Sequence, residues 1–127
     1  MNTEISPEAI AAPAANYAHA MLVTNAARTL YTSGVVPISV DGAVPQSLRE
    51  QIEVVWANIQ AILADADMTV KDIVSIITYV IDGEPLSEVM AIRDRVLDGH
   101  RAASTLITVP ALARPAWRLE IAVVAAA

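Results

Sequence analysis

Glu120 is the residue whose type and setting most plainly call for chemistry. It interrupts Leu119-Glu120-Ile121-Ala122-Val123-Val124, an otherwise apolar strand pattern. An uncompensated ion buried in such a strand costs several kcal/mol, so a charge there is paired, turned to the surface, or at work. A carboxylate at work in a dry setting can take a proton and give it back. Ser33 and Thr105 place hydroxyls at strand ends, either to bond a substrate or a water or as ordinary strand-end groups. Neither has a neighbouring His-Asp pair, which removes the serine-hydrolase reading. Cysteine is absent and the two histidines, His19 and His100, are not spaced as ligands. No thiol nucleophile, disulfide or bound metal is therefore expected.

The elements that must hold these residues follow from periodicity and turn chemistry. Residues 1–15, rich in Ala and Pro, read as a loosely held arm or short helix before a single domain over residues 16–127. Strands are expected over Tyr17–Val23 and Arg28–Ser33, with a turn at Thr24-Asn25 between them and another at Asp41-Gly42. Ser47 and Glu50 make a capping box ahead of Leu48, Ile52, Val55, Ile59 and Ile62, an amphipathic helix to about Ala64. Thr69-Val70-Lys71-Asp72 gives a short helical turn into Ile73–Ile81, a β-branched run apolar on both faces and so a central strand. Asp82-Gly83-Glu84-Pro85 opens a second helix whose stripe is Leu86, Val89, Met90, Ile92, Val96 and Leu97, stopped at Gly99. The last two strands, Ala103–Val109 and Leu119–Val124, read as a hairpin across a Pro-broken turn.

The 127-residue chain is 55% hydrophobic and 17% charged, with a mean hydropathy of +0.48. A lone domain of this size cannot hide so much apolar surface, and two helices cover only one face of a sheet. An obligate oligomer that packs sheets around an axis is expected. The net charge of −6 argues against a nucleic-acid or anionic-membrane partner. A membrane helix would need about 18 apolar residues in a row, and no such run occurs; nor does the N-terminus have a basic, apolar leader, so the expected compartment is the cytoplasm.

Tyr17, Tyr31-Thr32-Ser33-Gly34 with Pro37 after it, Gln51 and Asn58, Ile73 to Asp82, Ser104-Thr105 and Leu119-Glu120-Ile121 together carry a likeness. In this order and spacing the chain resembles the Rid (YjgF-like) family of imine and enamine deaminases from Tyr17 onward. The resemblance implies an α+β, chorismate-mutase-like fold, with one mixed sheet carrying two helices on one face. It also implies a homotrimer with a central β-barrel and small-molecule pockets between subunits. Catalytic members hydrolyse enamines and imines to ketoacids and ammonia without a cofactor. Glu120 matches the family's water-positioning glutamate, Ser33 and Thr105 match pocket-lining positions, and Tyr17 matches a pocket tyrosine.

The chain also departs from the family pattern. Ala103 stands where the family arginine binds the substrate carboxylate, Met90 where an asparagine is usual, and Ala64-Asp65-Ala66-Asp67 lacks the usual glycine. Two extra residues lie in the loop Ala111–Trp117. If the strand begins early, Arg101, Ala103 and Thr105 share a face, and Arg101 reaches the space that Ala103 vacates; the alternative is a solvated charge. Arg114 and Trp117 can supply a cation or a stacking wall, with an ordinary packing role as the alternative for Trp117. Two functions remain in play: a cofactor-free deaminase or related hydrolase with Glu120 positioning water, and a non-catalytic trimer that binds a small metabolite in the same cleft. Ribonuclease activity, attached to some relatives, is disfavoured by the acidic balance and the lack of a His-based acid-base pair.

Overall fold

The computed structural model describes residues 1–127. Helix α1 (Leu48–Asp65) starts where Ser47 accepts a hydrogen bond from the Glu50 backbone N–H at 3.1 Å. Its buried stripe, Ile52, Val55, Trp56, Ile59 and Leu63, repeats every three or four residues. Burying each such side chain contributes about 1.5–3 kcal/mol, so this stripe, more than helix propensity, holds α1 in place. Thr69 and Asp72 form a reciprocal capping box around a single 3-10 turn that feeds strand β4 (Ile73–Ile81). Helix α2 (Leu86–Leu97) buries Val89, Ile92 and Leu97 and ends at Asp98, which takes the left-handed conformation just before Gly99. No helix is long and apolar enough to cross a membrane.

The main sheet has four strands in the order β3 (Thr29–Tyr31), β6 (Leu119–Ala126), β4, β5 (Ala103–Val109). β4 and β5 run parallel, joined through α2, and β6 runs antiparallel to β4 on its other side. The fold is thus α+β with a mixed sheet and two helices on one face, as the resemblance implied. The expected hairpin is a correction: β5 and β6 never pair, because β4 lies between them. Residues 110–118 are too long for a hairpin turn and long enough to cross the end of β4, a span of two strand spacings or about 10 Å.

Ile76, Val80, Leu119, Ile121, Val123 and Ala125 form the sheet's side of the core. Side chains alternate along a strand, so Tyr31, Ile77, Tyr79, Ile107, Ala122 and Val124 share the opposite face with Glu120. No helix covers that face; Tyr31 is 75% and Ile107 42% exposed.

The first residues need a second correction. Residues 2–5, expected within a loose arm, form strand β1 (Asn2–Ile5), paired antiparallel with β2 (Ala20–Val23) as a two-stranded ribbon separate from the main sheet. Polar ends fasten it: Asn2 Nδ2 donates to the Ala126 carbonyl at 2.8 Å, and Arg101 pairs with Glu4 at 2.5 Å. β2 and β3 are shorter than expected, and Asn25 turns between them with a φ of 53°. At Asp41-Gly42 the expected turn is present; the Ser39 hydroxyl and the Ala43 N–H both donate to Asp41 and hold its carboxyl below the ordinary range.

Candidate functional site

Glu120 sits on the uncovered face of β6, opposite Tyr79 of β4. Its side chain is half-buried and lies against the backbone of Gly34. A Cβ on Gly34 would overlap Oε2 of Glu120 and stand 2.5 Å from its Cδ. Glycine leaves the carboxylate this space, and a larger residue at 34 would require the Glu120 side chain to move. Two backbone bonds between Val35 and Ile121, at 2.7 and 3.1 Å, register the Gly34 segment on β6. The Thr32 hydroxyl accepts from the Val123 N–H at 3.0 Å just before it. Within the chain Glu120 has no cation and no hydrogen-bond donor, since the ion pairs use Glu4, Glu53, Glu84 and Asp94.

Beside this contact lies the largest cavity, about 630 Å³, walled by Tyr31, Ser33, Gly34, Val36, Asn58 and Ile62 among others. Glu120 meets its wall at Gly34 without lining it. Asn58, on α1, donates to the Ile38 carbonyl at 2.9 Å and so ties the Gly34–Ile38 segment to the helix. Ser33 is exposed at the mouth.

Tyr17, Ala103 and Thr105 gather elsewhere. Ala18, 1% exposed, bridges in parallel to Ala103 and donates its N–H to the Ala102 carbonyl at 3.0 Å, which carries Tyr17 along the outer edge of β5. The Tyr17 ring stands edge-on to His19 with centroids 6.3 Å apart, and its hydroxyl accepts from the Ala14 N–H at 3.3 Å. Thr105 is exposed on the same open face as Glu120, but two strands away and two residues along, a separation of about 12 Å. Arg101 precedes β5, which begins at Ala103, and its Nη2 is already engaged with Glu4. The early strand start that would align it with Ala103 and Thr105 does not occur.

Trp117 joins neither group. It is 9% exposed and lines a separate cavity in the β5–β6 loop, with the Arg114 guanidinium 5.2 Å from its ring centroid. The candidate residues thus fall into two groups on opposite sides of β4: Glu120 with Gly34 and Ser33, and Thr105 with Ala103 and Tyr17.

Two supporting residues carry more than their sequence positions announced. Gln51, 1% exposed, donates to the carbonyls of Pro45 and Ala116 at 2.8 and 2.9 Å and accepts from the Arg118 N–H at 2.9 Å. It fixes the loop that delivers Glu120. Gly34 read as a strand end, and no local pattern announces a contact made 86 residues away in the chain.

A family model described as endoribonuclease L-PSP matches residues 7–127. A Yersinia pestis protein of unknown function, YyfB of the conserved Rid family, is 31% identical over 99% of this chain and 98% of its own, with a TM-score of 0.89. The mitochondrial protein Mmf1 of Saccharomyces cerevisiae is 28% identical over 113 residues, 88% of this chain and 73% of its own length. E. coli TdcF, solved with bound serine, shares the fold at 19% identity and a TM-score of 0.73, with 98% of each chain covered. The chain belongs to the endoribonuclease L-PSP family, that of the Rid and YjgF-like proteins.

Proposed function

We propose that this protein is a cofactor-independent hydrolase of small imines and enamines, working in clefts between the subunits of a homotrimer. Family membership supports a small-molecule-processing role in general. The observation that carries the finer reading is the unpaired Glu120 carboxylate, half-buried on an apolar sheet face and held against Gly34 beside the largest cavity. Glu120 takes a proton from water as the water oxygen bonds to the imine carbon and the C=N pair moves to nitrogen. It then returns that proton to the nitrogen, giving a neutral carbinolamine; Glu120 next takes the hydroxyl proton and passes it to the amino nitrogen as the C–N bond breaks, so that a carbonyl compound and ammonia leave and the carboxylate is regenerated. An enamine enters the same route after protonation at carbon.

The shared cleft is supported by the split of the site. About 12 Å separates Glu120 from Thr105 within a chain, too far for one small substrate to touch both, and Thr105 lies on the edge strand β5 whereas the Gly34 segment that meets Glu120 lies on the β3 side of the sheet. A head-to-tail ring brings the edge of one copy to the opposite edge of the next. Ser33, Thr105 and Tyr17 would then line the cleft with hydroxyls. With Ala103 in place of an arginine and Arg101 held by Glu4, the preferred substrate is one that does not depend on a cation at that edge. An endoribonuclease reading has less support, because Nε2 of His19 and of His100 is engaged with the carbonyls of Ala11 and Ile73, each at 2.7 Å.

Glu120→Gln tests the proposal. Ammonia release from imines generated in situ from amino acids is expected to fall about 100- to 10,000-fold with the assembly intact. Unchanged turnover removes Glu120 from the mechanism. Ligand binding without turnover in the parent protein favours the second reading, a trimeric small-metabolite binder.

A further inference from the structure

The loop at residues 110–118 holds a cavity of about 290 Å³, walled by Ile81, Pro110, Leu112, Arg114, Pro115 and Trp117. None of these residues lines the cavity at Gly34. Arg114 differs from the other arginines. Arg49, Arg93, Arg95, Arg101 and Arg118 each pair with a carboxylate, and Arg28 donates to the Ala66 carbonyl, whereas Arg114 meets no acceptor in the chain. Its guanidinium lies over the Trp117 ring, 5.2 Å from the centroid and within cation–π range, with its N–H groups unpaired.

We infer that this loop is a binding site for a small apolar monocarboxylate, with the carboxylate on Arg114 and the hydrocarbon against Ile81, Leu112 and the two prolines. A planar guanidinium with its N–H groups unpaired matches a carboxylate bidentately. A hydrophilic anion would gain nothing from these walls, and an uncharged hydrocarbon would leave the guanidinium unpaired. The volume lies just below the range of about 300–1,000 Å³ that holds drug-sized molecules, which sets the ligand at the scale of a short aliphatic or single-ring acid. Within one chain its walls share no residue with the cavity beside Glu120.

Hexanoate is a suitable probe, with tryptophan fluorescence as the readout. Trp56 is sealed in the core at 1% exposure, so a change assigned to Trp117 should vanish in Trp117→Phe. Saturable binding of hexanoate is expected, with hexanamide at least ten-fold weaker. Arg114→Ala should weaken hexanoate at least ten-fold, the effect of losing one charge-assisted contact, and Arg114→Lys by less. Arg114 is exposed, so these variants should keep the parent's circular dichroism. Glu120→Gln should bind hexanoate as the parent does. Absence of saturable binding, equal affinity in Arg114→Ala, equal affinity for hexanamide, or loss of binding in Glu120→Gln would each overturn the assignment.

Discussion

Gly34 and Glu120 act as a unit, since the carboxylate occupies the space that any larger residue at 34 would fill. Gly34 does not have a positive φ, so alanine can adopt its backbone; what alanine cannot share is the space. Gly34→Ala is expected to keep the fold and push the carboxylate aside by an ångström or more, lowering turnover about 100-fold. Ammonia-release rates beside the solution mass would show this, and full activity would mean that the contact does not position Glu120. Glu120 was legible in the sequence because a lone charge in a β-branched strand breaks its own pattern. Gly34 was not, because a close approach between segments leaves no local trace.

At the scale of elements, Gln51 bears the largest polar task. Its three bonds join α1, the Pro45 segment and the loop leading to β6, all away from solvent. Gln51→Leu strands two carbonyls and an N–H, each costing about 1–3 kcal/mol where water cannot reach. A loss of about 3 kcal/mol is expected, seen as a lower urea midpoint with an unchanged slope; a loss under about 1 kcal/mol would mean that water replaces the amide. Helices and the central strand were readable because each is dictated by neighbours in sequence; of the expected Ser47–Glu50 capping box only the bond from the Glu50 N–H to the Ser47 hydroxyl forms, while Thr69 and Asp72 make a complete one. Pairing partners were not: the apolar patterns of β5 and β6 fit a hairpin as well as they fit strands flanking β4. β1 escaped notice because an Asn-Thr-Glu-Ile segment has little apolar alternation, and its ribbon is fastened by distant polar contacts to Ala126 and Arg101. Asp67, just after α1, adopts a φ of 54°, a conformation that Asp tolerates better than most residues.

At the scale of the whole molecule, the uncovered sheet face sets the expected assembly. Ile77, Ala122, Val124, Ile107 and Tyr31 make it apolar across all four strands. Light scattering at micromolar concentration is expected to give three times the 13.5 kDa chain mass. Val124→Asp would place a carboxylate in that packed face and should dissociate the trimer, because an uncompensated buried ion costs several kcal/mol. A parent protein that remains monomeric would remove the basis for a shared cleft. If the cleft is shared, no single chain owns a complete one, and two dead proteins can make a live one. Glu120→Gln spoils one half, and Thr105→Trp, by filling the β5 edge, spoils the other. Unfolded together in equal amounts and refolded, they should assemble so that roughly one cleft in four receives both intact halves, given random mixing around the ring. Activity should return to about a quarter of the parent's, whereas a cleft contained within one chain would recover nothing on mixing.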